Sequence, residues 1–203
     1  MQINKNGWVQ LPKKLLDDMN WHEKDTLLFR KEKEGIFLSK EDKIENTALF
    51  IRCFGHFHIE YAGEEIPVKN KKMREMIAYL VTHNNELISK WTVAQQLWPD
   101  SPKTQAMDCL YKVLRFYLKS EILVKRIPLE IYREQLRICL SVRELDVLLF
   151  EQFIGADNCS LWLEALNLYR GGFLEKECYE WSIQYQMEYE IKIEILQEKI
   201  RKH

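Results

Sequence analysis

Two groups of residues have the types and spacing to do chemistry. The first is Cys53-x-x-His56-x-His58, a thiol and two imidazoles, which are zinc-ligand types. The alternation in "HFHIEY" places Phe57, Ile59 and Tyr61 on one strand face and His56, His58 and Glu60 on the other. Cys53 lies beyond a glycine turn, both histidines are expected to face solvent, and no fourth ligand stands at a zinc-site spacing. No metal and no other cofactor is expected. The second group lies in residues 103–119, where Met107, Leu110, Leu114, Tyr117 and Leu118 recur at helical spacing. The other side of that helix carries Lys103, Thr104, Gln105, Asp108, Tyr111, Lys112, Arg115 and Lys119. One greasy face to dock at home, and one face of amide, hydroxyl and cationic groups, is what a helix needs to reach base edges and phosphates. A solvated amphipathic helix has the same pattern, so the elements around it must decide.

Those elements are ordered strands, three helices, strand pair. "ALFIRCFGHFHIEYAGEEIPV" reads as three short strands. "KKMREMIAYLVTHNN" follows as a helix burying Met73, Met76, Ile77, Leu80 and Val81. "SKWTVAQQLW" is a second helix, capped by Ser89 and stopped by Pro99. The third is the reading helix, with Ser101 as its expected cap and Pro102 at its first position. "ILVKRI" and "QLRICL" close the unit as a strand pair, a wing carrying Lys125, Arg126, Arg133 and Arg137.

Residues 1–40 read strand ("WVQL"), short helix ("PKKLLDDMN"), then a hairpin whose charged turn ends at Gly35. Lys13 and Lys14 stand at the positive end of that helix's dipole, an arrangement that suits a phosphate or a dimer partner. So small a piece buries too little surface to fold well alone and is expected to pair with a second copy. "KEDKIENT" is a polar linker. From Ser141 the pattern is helical. A capping box, "SVRE", leads into "LDVLLFEQF", then "CSLWLEALNLY", then a long segment from Lys176 with Trp181, Tyr185, Tyr189, Leu196 and Ile200 on one stripe.

The net charge of -1 hides an uneven distribution. Residues 1–44 carry +1, residues 45–142 carry +3 and residues 143–203 carry -5. The five cysteines are scattered through apolar patterns and read as reduced thiols of a cytoplasmic protein. No apolar run approaches the length of a membrane span. Gly-rich phosphate loops and G-x-S-x-G are absent, and His22, His83 and His203 have no obvious carboxylate or nucleophile beside them. The chain is not expected to be an enzyme.

Residues 48–140 resemble the OmpR/PhoB-type winged helix as found in SARP-like bacterial regulators, through "ISKWTVAQQLWPD" and "LYKVLRFYL". "LDVLLFEQF", "ALNLYRGGFL" and Trp181 resemble the bacterial transcriptional activation domain that follows such winged helices. Either Leu114-Arg115 or Leu118-Lys119 matches the family's Leu-Arg, so the register of the reading face stays open. "GWVQLPKKLLDDMNW", "KDTLLF" and "GIFLSK" resemble the AbrB/MazE swapped-hairpin family. Where AbrB-type members carry DNA-contacting arginines this chain has Trp8, Leu16 and Asp17.

The resemblances imply an α+β chain of three parts: a dimerisation domain at 1–44, a winged helix-turn-helix at 45–142 and a partial, tetratricopeptide-like helical domain at 143–203. They imply a homodimeric transcription regulator that binds double-stranded DNA, with Lys103 to Lys119 in the major groove and Lys125, Arg126 and Arg133 of the wing at phosphate or the minor groove. The helical part would meet RNA polymerase or another protein. Two other readings fit the same residues: a protein-binding adaptor without DNA, and an antitoxin-like autorepressor.

Overall fold

The structure, a computed structural model, describes residues 11–18, 26–32, 35–41 and 48–202. The chain divides into two compact units, residues 1–46 and 47–203.

In the first unit a six-residue helix α1 (Lys13–Asp18) follows Pro12. An antiparallel hairpin follows, β1 (Thr26–Glu32) and β2 (Gly35–Glu41), in the register Thr26↔Glu41 to Glu32↔Gly35. Lys13 and Lys14 are exposed. The strand expected at "WVQL" has residues 8–10, and the linker its residues 42–47, outside the described residues.

The second unit opens with a three-stranded antiparallel sheet, β3 (Leu49–Arg52), β4 (His58–Tyr61) and β5 (Glu64–Glu65). Leu49, Ile51 and Ile59 face the core, as alternation requires. Helix α2 (Lys71–Thr82) is capped by Asn70, whose side chain accepts from the Met73 N–H at 3.0 Å. It buries all five residues expected of it and also Tyr79 and Ala78. The short strand β6 (Ile88–Ser89) leads into α3 (Lys90–Leu97), with Ser89 accepting from the Thr92 N–H at 2.9 Å. Helix α4 (Lys103–Lys119) follows a tight turn. Its cap position is Pro102, without a side-chain hydrogen bond, so Ser101 does not cap it.

"ILVKRI" is not a strand. Glu121–Arg126 forms helix α5, with Ser120 accepting from the Leu123 N–H at 3.4 Å. Glu121 in its first turn and Lys125 and Arg126 in its last complement the helix dipole. These end signals outweigh the β propensity of Ile122 and Val124. The wing is therefore shorter than expected, β7 (Leu129–Ile131) and β8 (Gln135–Ile138), and β8 also pairs with β6.

The remaining chain does not form a separate unit from this winged helix. A 3-10 turn, Val142–Glu144, precedes α6 (Asp146–Gly155) and α7 (Cys159–Leu168). The Ser141 N–H donates to Glu144 at 2.6 Å, as the capping box requires. A second 3-10 turn, Glu180–Ser182, precedes α8 (Ile183–Lys202), so the last helix begins later than its apolar pattern at Lys176.

The tail is locked to the β3–β4 turn. Asp146, 1% exposed, accepts from the backbone N–H groups of Cys53 (2.8 Å) and Phe54 (2.9 Å), and also from its neighbour Val147 (2.8 Å). The Phe54 ring meets Phe150, Tyr169 and Tyr189 edge-on at 5.2–5.3 Å. Gly55, at φ +83°, donates its N–H to the Gly172 carbonyl at 2.9 Å. Gly171 approaches so closely that a Cβ there would lie 3.3 Å from the Gly55 Cα.

Burial pushes the Asp146 carboxyl up to about 6, outweighing the three N–H donors that favour the anion. Its folded pKa lies above the unfolded one, so protonation favours the folded chain. The contribution of this group to stability therefore falls as pH rises from about 4 to about 6. Asp146→Ala strands buried donors and should cost about 2–5 kcal/mol in denaturant unfolding. Asp146→Asn, which keeps an acceptor, should cost less and remove that slope.

Candidate nucleic-acid interface

Helices α3 and α4 form the helix-turn-helix. On α4 the buried residues are Ala106, Leu110, Val113, Leu114 and Tyr117. Tyr117 fixes the far end, its hydroxyl donating to the Ile127 carbonyl at 2.9 Å. Leu118, expected on this docking face, is 59% exposed, and Met107 is half-buried. At 100° per residue the docking side centres between Ala106 and Leu110, and Leu118 lies well round the helix from it.

All eight polar or aromatic residues predicted for the other face are exposed: Lys103, Thr104, Gln105, Asp108, Tyr111, Lys112, Arg115 and Lys119. Asp108, Arg115, Lys112 and Lys119 form its centre line by helical spacing, with Tyr111 and Leu118 along one edge and Gln105 and Phe116 along the other. Lys112, Arg115 and Lys119 have no carboxylate partner among the described residues. Lys103 lies over the Trp91 ring at 5.1 Å. With Asp108 included, the face carries an excess of three positive charges.

The wing residues are distributed differently from the expectation. Arg133 stands at the tip of the β7–β8 turn with its side chain 96% exposed, 3.8 Å from Glu134. Lys125 and Arg126 belong to α5, not the wing. Lys125 pairs with Glu121, and Arg126 stacks on the Tyr61 ring at 3.5 Å. Arg137 is held by Glu130 at 2.7 Å. This raises its own pKa further and holds the Glu130 carboxyl below its usual range, an effect that starts with the Tyr132 hydroxyl bond.

Lys90 is a residue the sequence reading did not single out. It is 6% exposed, its Nζ donates to the Arg133 carbonyl at 2.8 Å and its backbone N–H donates to the Glu134 carbonyl at 2.8 Å. Its ammonium also lies 5.6 Å from the Tyr111 ring. One lysine thus ties the wing tip to the start of α3 and to α4. The signal was present: a lysine immediately after the N-cap Ser89 opposes the helix dipole and calls for an acceptor elsewhere.

Cys53, His56 and His58 do not converge. Cys53 is fully buried and burial raises its thiol pKa well above the usual value. His56 lies 2.9 Å from Glu177, and the half-buried His58 lies 3.0 Å from Glu60. Among the described residues no group of three His, Cys, Asp or Glu side chains is placed to hold a metal ion. Nor is any helix long and apolar enough to cross a membrane.

No protein-family model matches the chain, and no curated protein matches it by sequence. Among solved structures it is similar to EmbR of Mycobacterium tuberculosis, determined in complex with a low-affinity phosphopeptide. The TM-score is 0.62 at 16% identity, over 74% of this chain and 44% of that one. The chain thus spans less than half the length of that neighbour. The likeness is one of fold alone, a winged helix that carries a helical tail.

Lys90→Met should keep the fold but free the wing tip. The expected outcome is a loss of about 1–3 kcal/mol in stability, with faster amide exchange at Glu134 and Gln135. Unchanged exchange at these amides would show that the ammonium does not hold the turn.

Proposed function

We propose that this chain is a sequence-specific, duplex-DNA-binding transcription regulator. Helix α4 enters the major groove, and Arg133 at the wing tip reaches phosphate or the minor groove. The observation that carries this reading is the cationic centre line of α4, Lys112, Arg115 and Lys119, solvent-exposed and unpaired. Most buried or half-buried cations in the unit are engaged. Arg52 meets Glu60, Arg74 meets Glu177, Arg137 meets Glu130 and Lys90 meets a carbonyl. Thr104, Gln105 and Asp108 supply base-edge donors and acceptors, and Tyr111 and Leu118 offer apolar contact to a thymine methyl.

Residues 1–44 are an AbrB/MazE-like dimerisation module. The described residues of this part form a two-stranded hairpin and one short helix, which is marginal alone; in the proposed dimer a second copy completes it. Lys13 and Lys14 make phosphate or dimer contacts. The dimer presents two reading heads and so a two-part operator. The tail meets RNA polymerase or another protein. The exposed Phe116 and Leu118 flanking α4 favour a second reading, in which that face docks a protein without DNA.

Four phosphate contacts predict an affinity loss of about 10²-fold for random duplex DNA between 50 and 200 mM salt. The double charge reversal Lys112→Glu with Arg115→Glu should weaken binding on every sequence and flatten the salt slope by about 2. Binding indifferent to both salt and charge reversal would leave the adaptor reading. Removing residues 1–44 should convert a dimer into a monomer by light scattering. A persistent dimer would place the interface in the second unit.

A further inference from the structure

Helix α8 is apolar on two sides. Its inner stripe, Tyr185, Tyr189, Ile193, Leu196 and Ile200, packs against the core. Its outer side carries Ile183, Met187, Ile191 and Ile195, which are 55, 60, 56 and 51% exposed. Four residues at strict i, i+4 spacing form a ridge about 18 Å long. Such a ridge fits the groove of a second helix. Beside it lies an open groove of about 710 Å³ lined by Tyr79, Trp181, Tyr185, Met187 and Ile191 among others. The Trp181 indole N–H there is buried without a hydrogen-bond partner among the described residues.

The charge along this ridge selects the occupant. Glu180, Glu188 and Glu194 are exposed and take part in no ion pair among the described residues. Glu198 pairs with Lys202 one turn on. Lys192, midway along α8, is held by Glu151, and the other basic residues of the helix, Lys199, Arg201 and Lys202, lie in its last turn, beyond Ile195. An acidic margin repels nucleic acid and anionic lipid. A second copy of α8 laid antiparallel along the ridge would bring Glu188 against Glu190.

We propose that the outer face of α8 docks an amphipathic helix of a partner protein whose apolar stripe is flanked by lysine or arginine. This rests on the reading of the tail as a protein-binding element and not on DNA binding. The apolar ridge supplies the affinity, and the glutamates choose the partner and orient it.

The test uses the full chain and two fluorescein-labelled helical peptides of about 20 residues, the length of α8. Both carry leucines at three-and-four spacing; one has lysines on the flanks and the other glutamates. The lysine peptide should bind at least about tenfold more tightly by anisotropy. Glu188→Lys with Glu194→Lys should reverse that preference. Met187→Ser with Ile191→Ser should weaken both peptides while leaving the circular dichroism spectrum unchanged. Equal binding of the two peptides, or a preference indifferent to the glutamate substitutions, overturns the proposal. So does a fall in the mass of the chain by light scattering in the Met187→Ser and Ile191→Ser variant, which would make the ridge a contact between copies. Duplex DNA is titrated against the same variants. A chain that takes the lysine peptide but not DNA keeps this inference and loses the regulator reading; the converse result does the opposite.

Discussion

The second unit depends on how one turn of backbone is satisfied. Strand β3 leaves the sheet at Cys53 and its next N–H groups run into the interior, where no water can meet them. A carboxylate from outside the winged helix, Asp146, accepts from both. The adjoining Phe54 fills an aromatic socket made by Phe150, Tyr169 and Tyr189, one residue from each of α6, the α7 end and α8. Leaving a buried backbone donor unpaired costs about 1–3 kcal/mol, more than a typical hydrogen bond contributes net. The winged helix thus lacks a complete interior without the tail, and the tail lacks its central ring without the winged helix. Glu177 repeats the device, accepting from the Phe57 N–H at 3.2 Å and from Arg74 at 2.9 Å.

That mutual completion explains how a nearly neutral chain presents a cationic helix. The acidic excess of residues 143–203 is partly turned inward, onto backbone donors and onto Arg74. Carboxylates of the winged helix itself hold Arg52 and Arg137. What α4 retains on its open side is local charge that no neighbour cancels. Net charge describes long-range steering, whereas contact with phosphate is decided within a Debye length of about 8–10 Å. A whole-chain value of -1 and a face of +3 are therefore compatible.

Periodicity made the elements of this unit legible, with particular failures. The apolar positions of α2, the exposed set on α4 and the inner stripe of α8 follow from spacing alone, because a helix has only one way to bury a row at three and four. Leu118 misled because apolar identity was read without its angle. Ile122 and Val124 misled because local β propensity was weighed above the Ser120 cap and the flanking charges of α5. The "CFGHF" turn was invisible as a docking element. Its partners lie about 90 to 120 residues away, and no local pattern announces that a tail carboxylate will accept from Cys53 and Phe54. Lys90 was legible in principle, as a charge on the wrong end of a helix. The order of winged helix and helical tail was legible from short motifs in sequence, although no family model matches the chain.

The outer ridge of α8 shows why a single stripe is an incomplete description of a helix. Heptad-like reasoning stops once one face has found the core, and Trp181, Tyr185, Tyr189, Leu196 and Ile200 satisfied it. Yet Ile183, Met187, Ile191 and Ile195 recur just as strictly on the opposite side, interleaved with exposed glutamates. A solvated face has no physical use for four large aliphatic side chains in register, since each raises the free energy of the exposed chain and the risk of aggregation. Packed helices bury such faces against one another, so the second stripe of α8 has the form of a docking surface. The partner proposed for it is apolar along its middle and basic along its edges.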